Sequence, residues 1–145
     1  MTGFIPDGYV SKGYIEGVPQ LYGELRFRFR PVLMEESSEF FEQGARLKAR
    51  EADRRTAKLL KDKMVEWDLK DLKGDLLDID VPVLLRLNRR LFQRLAAIVL
   101  GTEPCDLDPQ WSDEEQDEFV DRKAEAGFVG RTFGAVGEER DAKNS

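Results

Sequence analysis

A chain of 145 residues, 41% hydrophobic and 36% charged, is sized for one domain, with a core of modest extent. It carries a net charge of -6, no histidine and a single cysteine, Cys105. Those counts remove imidazole general bases, histidine-dependent triads, most zinc sites and any intramolecular disulfide. The longest apolar run, Leu95 to Leu100, is far short of the roughly 20 residues that span a bilayer. Met1 opens no charged-then-apolar leader with a small-residue cleavage site, so a cytoplasmic protein in a reducing compartment is expected.

The first third reads as strand. Over Tyr22 to Arg30, Leu25, Phe27 and Phe29 alternate with Arg26, Arg28 and Arg30, which predicts one apolar and one cationic face. Tyr9, Val10, Tyr14 and Ile15 predict a second strand, and Gly17-Val18-Pro19 breaks the chain between the two. A two-stranded ribbon is marginal in water, so another element has to cover the phenylalanines.

From Glu35 to Glu66 the period changes. Phe41, Ala45, Ala49, Ala52, Thr56, Leu60 and Met64 recur at helical spacing, predicting one helix of roughly 45 Å with a thin stripe. Gly44 weakens its middle by about 1 kcal/mol relative to alanine. Trp67 to Asp80 reads as a short irregular hairpin turning at Lys73-Gly74-Asp75, its leucines packed on the core. A second helix is predicted from Asp80, a cap, through Pro82 to Leu100, ended by Gly101 and Pro104. Leu84, Leu87, Leu91, Leu95 and Ile98 form its stripe, and Leu85, Phe92, Ala96 and Val99 widen it. So broad an apolar surface belongs to a buried central helix or to a partner interface. Glu103 to Asp121 then holds nine acidic residues and no basic one, and Ser112 with Glu115 predicts a capping box opening a short helix to about Ala126. Beyond Gly127 the composition reads as a disordered tail. The fold class is therefore α+β: a β-hairpin or small antiparallel sheet on two main helices (1–104), an acidic segment with a short helix (105–126) and a tail (127–145).

No constellation of catalytic residues emerges. The acidic run from Asp106 places Trp111 where a calcium loop needs glycine and Asp117 where it needs a bidentate glutamate. Cys105 beside acidic residues has no activated thiol signature and reads as an inert, partly exposed side chain. No cofactor is expected. Arg26, Arg28, Arg30, Arg54 and Arg55 are candidates for a basic surface, since Arg46 to Lys63 holds eight basic residues against three acidic. Strand alternation separates the strand arginines from the phenylalanines between them, and the net charge of -6 disfavours general nucleic-acid affinity.

The run Trp67-Asp-Leu-Lys-Asp-Leu-Lys-Gly-Asp-Leu-Leu-Asp-Ile, the leucine-rich helix after it, Gly101 and Asp106-Leu-Asp-Pro-Gln-Trp together resemble the tail assembly chaperones of long-tailed bacteriophages. The resemblance spans about residues 60 to 115. It implies a non-catalytic protein of the host cytoplasm that binds the tape measure protein, an apolar helical partner, and keeps it soluble while the tail tube forms. Self-association is compatible with it. On this reading the contact residues are Leu84, Leu85, Phe92 and Val99 on the apolar helix, with Phe119 and Phe128 beyond it. A structural virion component of tail completion or connector type, and a small nucleic-acid-binding regulator using the basic residues, are the alternatives.

Overall fold

A computed structural model of the chain describes residues 5 and 7–121. Its backbone contacts divide at Asp106–Leu107 into two compact units. The first is α+β and contains a three-stranded antiparallel sheet in the order β1-β2-β3, with β1 Ser11–Ile15, β2 Leu25–Phe29 and β3 Met64–Trp67. Helices α1 (Met34–Gly44), α2 (Ala49–Lys63), α3 (Val81–Leu84) and α4 (Arg89–Leu100) complete it.

The period-two reading of Tyr22 to Arg30 matches β2. Leu25, Phe27 and Phe29 are buried, while Arg28 and Arg30 face solvent. Register pairs Gly13 with Phe27 and Tyr14 with Arg26, so the apolar and cationic rows stay on opposite faces. On the outer face the Tyr14 ring lies 4.9 Å beneath the Arg26 guanidinium, and its hydroxyl donates to Glu24 Oε1 at 3.0 Å. The core holds these strand residues together with buried helix residues: Ala57 and Leu60 of α2, Leu84 of α3, and Leu91, Phe92, Leu95, Ile98 and Val99 of α4.

Three long-range expectations change. The single helix over Glu35 to Glu66 is two helices and a strand. The chain doubles back between Gly44 and Lys48, whose extended backbone (ψ 156°) opens α2. This reversal lets Arg55 reach α1: its Nη1 donates to the Phe40 carbonyl at 2.6 Å, its Nη2 to Gln43 at 3.0 Å, and it covers the Phe40 ring at 4.6 Å. A Cβ at Gly44 would sit 3.1 Å from that guanidinium, so the glycine makes room for the clamp as well as loosening the helix. Replacing Arg55 by alanine is expected to cost about 1–2 kcal/mol. Amide exchange should show it first in α1, whose amides would lose protection before those of α4.

The segment Met64–Trp67 leaves α2 directly as β3, pairing Phe27 with Trp67, Arg28 with Glu66 and Phe29 with Met64 across a bulge. Four residues are too few for a strand pattern to override the helical period running into them. Beyond it, Trp67 Nε1 donates to the Leu77 carbonyl at 2.7 Å and pins the hairpin, whose Asp71 carboxylate accepts from Lys73 N and Asp75 N. The turn lies where it is expected, but Leu72 and Leu76 stand in solvent at its tip rather than on the core.

The helix over Asp80 to Leu100 is also two pieces. Asp80 caps α3 as expected, accepting from Val81 N at 2.8 Å, with Pro82 in the first turn. Asn88 then starts α4 afresh by accepting from Arg90 N at 3.0 Å, the role its short amide favours. Gly101 ends α4 in the left-handed conformation (φ 81°). Arg94 donates to Glu103 and Asp106, and Asp106 reaches back to β1 by accepting from Glu16 N. Cys105 is buried, not partly exposed.

In the second unit the capping box forms: Glu115 N donates to Ser112 Oγ and Ser112 N to Glu115 Oε1. The helix it opens runs from 113 through 121, with the Trp111 and Phe119 rings 5.4 Å apart. Its predicted extension to Ala126, Phe128 and the predicted tail (127–145) lie outside the described residues.

Among the described residues, three ion pairs contribute to the pH dependence of the fold. The ammonium of Lys63 and the amide of Leu33 hold the Glu36 carboxyl below its ordinary 4.5, Arg89 holds Asp53 below 3.8, and Lys61 with the Val81 amide does the same for Asp80. A depressed carboxylate pKa contributes stability that is complete above the unfolded value and is lost as pH falls through the folded one. Stability is therefore expected to be level above about pH 5 and to decline below about pH 4. The Glu36→Gln chain should start slightly less stable and decline less steeply in acid. Glu36 is 42% exposed, so solvent screening keeps its share below about 1 kcal/mol.

Candidate protein-binding surface

Helix α1 is the anomaly of the fold, because none of its eleven residues is buried. A helix normally hides an apolar stripe, and this one is held instead by polar contacts along one side. Arg55 grips Phe40 and Gln43, and Lys63 Nζ donates to Glu36 Oε2 at 2.8 Å. Glu36 also accepts from Leu33 N, closing the first turn. At 100° per residue, Glu36, Phe40 and Gln43 share that inward side, which leaves Met34, Ser38 and Phe41 on the outward one.

Met34 is 85% exposed and Phe41 49%, with Leu33 (44%) just before the helix. Met34 and Phe41 are two turns apart and line up, with small Ser38 between them. Phe41 was expected in the helix stripe. It cannot share the inward side with Phe40, since adjacent helical residues diverge by 100°. Covering Met34 and Phe41 would contribute on the order of 3 kcal/mol. In the sequence this surface is marked only by Phe41 with Gly44 three residues on, and Phe41 falls in the predicted stripe only while one helix runs through that glycine.

The residues expected to contact a partner are dispersed. Leu84 (0% exposed), Phe92 (6%) and Val99 (1%) belong to the chain's own core, and of that group only Leu85, at 39%, reaches solvent. Phe119 is buried and stacks near Trp111. The physical reason is that a leucine serving a core and one serving an interface carry the same sequence signal.

The expected basic surface divides in the same way. Arg26 pairs with Glu24 at 2.6 Å, Arg28 with Glu66 at 3.1 Å, and Arg30 donates to the Asp62 carbonyl. Arg55 is the α1 clamp. Arg54 is exposed and, with Arg50 and Lys58 at four-residue spacing, forms a stripe on α2 that has no ion-pair partner among the described residues.

Two of the hollows among the described residues lie beside the helices. One, of about 400 Å³, is lined by Glu16, Tyr22, Arg90, Arg94, Glu103 and Asp106, and its Arg94 is already neutralised by the two acids. The other, of about 60 Å³, is bounded by Asp53, Leu84, Leu85, Arg89 and Phe92. Among the described residues no group of three or more cysteine, aspartate or glutamate side chains could hold a metal ion, and no helix is long and apolar enough to cross a membrane.

No family model, curated protein or solved structure matches this chain.

Proposed function

We propose that this chain is a non-catalytic protein-binding protein, and that it acts as a tail assembly chaperone which binds the tape measure protein and keeps it soluble in the host cytoplasm. The identity of the partner rests on the resemblance of residues 60 to 115. The observation that supports a binding role is α1, a two-faced helix without a buried residue that offers Met34 and Phe41 to solvent. A soluble cover for apolar helices needs such a stripe on a charged body.

The test is co-expression with the tape measure protein of the same genome, scoring recovery of a soluble complex. In the Met34→Asp/Phe41→Asp chain, capture is expected to fall at least tenfold. Its unfolding free energy should stay within about 1 kcal/mol of the parent's, since exposed side chains contribute little to stability. Capture unchanged by both substitutions would sink the assignment of this surface. A chaperone is also expected to be missing from purified particles, whereas a virion component would be found in them.

The α2 stripe of Arg50, Arg54 and Lys58 favours one second reading, a nucleic-acid regulator. That reading requires binding that weakens steeply with salt and is lost in Arg54→Glu/Lys58→Glu.

A further inference from the structure

The proposed binding surface carries a charge pattern that specifies its partner further. Helix α1 contains Glu35, Glu36, Glu39 and Glu42 and no basic residue. Glu36 is committed to Lys63 on the inward side. Glu35, Glu39 and Glu42 fall together on the outward flank, spaced at i, i+4 and i+7, and all three are exposed. Among the described residues none of them has an ion-pair partner, and the one hydrogen bond there is Gln43 Nε2 donating to Glu39 at 3.0 Å. The outward face is thus an apolar row, Met34 and Phe41 with a gap over Ser38, bordered along one side by three carboxylates.

We propose that α1 selects helices whose apolar stripe is bordered by lysine or arginine, with one large apolar side chain seated over Ser38 between Met34 and Phe41. The inference rests on the reading of α1 as the binding surface and adds the partner's chemistry. Apolar contact supplies the affinity, while the acidic border supplies discrimination, because a glutamate-bordered helix would place like charges along the whole row. Three exposed pairs of ordinary strength correspond to about tenfold in affinity at low salt.

The experiment uses the full chain and two fluorescent amphipathic peptides with the same leucine stripe, one bordered by lysine and one by glutamate. Anisotropy titrations in low salt should show the lysine peptide binding about tenfold tighter, with the gap closing in high salt. Glu35→Lys/Glu39→Lys/Glu42→Lys should invert the preference, and the milder Glu39→Gln/Glu42→Gln should narrow it. Circular dichroism identifies any variant that has not folded, in which case the glutamine pair decides.

Equal binding of the two peptides, or binding of neither by a folded chain, overturns the proposal. If tape measure capture still depends on Met34 and Phe41 in that event, only the charge rule fails. If capture ignores Met34 and Phe41, the surface itself fails and the charge rule with it. Sedimentation that finds a dimer dissolved by the glutamine pair, with both peptides ignored, also overturns it and assigns the face to a second copy.

Discussion

Truncating Leu84 to alanine is expected to destabilise the chain by about 3 kcal/mol and to lower its melting temperature by about 10 °C. Leu84 has no solvent exposure, and it sits on the short helix α3, which packs against α2. A half-open hollow of about 60 Å³ adjoins it, bounded by Leu85, Leu87 and Phe92, and the lost methyl groups would extend it into the core. Neighbours that already fail to fill that space have little reason to collapse into more of it, which places the cost above bare transfer energy. Leu85, the next residue, is 39% exposed, and its replacement by alanine should cost under about 1 kcal/mol. Urea unfolding of the two single variants separates core from surface on adjacent leucines of one stripe. A neutral Leu84→Ala would return that residue to the interface role its sequence pattern equally allows.

That ambiguity marks the limit of what the sequence made legible. Alternation in Leu25 to Phe29 could be read because one strand face is buried and the other wet, and the capping signals at Asp80 and Ser112 could be read because each is local. The α+β class followed from those signals. The two helix breaks could not be read the same way. Gly44 and Asn88 are each tolerable inside a helix; Gly44 becomes an end through a distant contact, Arg55 closing on Phe40, and Asn88 through its cap on Arg90 N together with the packing of α4 on α2. Strand β3 was hidden for the same reason, since its four residues gain strand character only from pairing with Phe27 and Phe29. The proposed binding surface depends on the first of these breaks. Once the helix is assumed to run through Gly44, Phe41 becomes a core residue and α1 ceases to exist as a separate, uncovered element.

The sheet offers a sharper test, because at Gly13 the expected sign is unusual. Alanine in place of glycine within a strand normally stabilises by about 0.5–1 kcal/mol, through the entropy of the unfolded chain. At Gly13 the change is expected to destabilise by about 2 kcal/mol. A Cβ there would fall 2.4 Å from Phe27 Cζ and 2.5 Å from Cε2, because the Phe27 ring lies directly across its cross-strand partner. The ring cannot swing clear cheaply: Phe27 is 3% exposed, packs 5.6 Å from Phe29, and is paired on its other side with Trp67. Phe27→Leu alone should lose about 1 kcal/mol of packing. Its double variant with Gly13→Ala should be less destabilised than the sum of the singles by about 1 kcal/mol, because the shorter side chain removes the collision. Chemical denaturation of all four chains closes the cycle. A positive coupling ties the glycine to the ring that covers it. Strict additivity would mean that the strand relaxes around the new methyl, and that the packing of Phe27 over Gly13 sets neither the register nor the stability of β1 against β2.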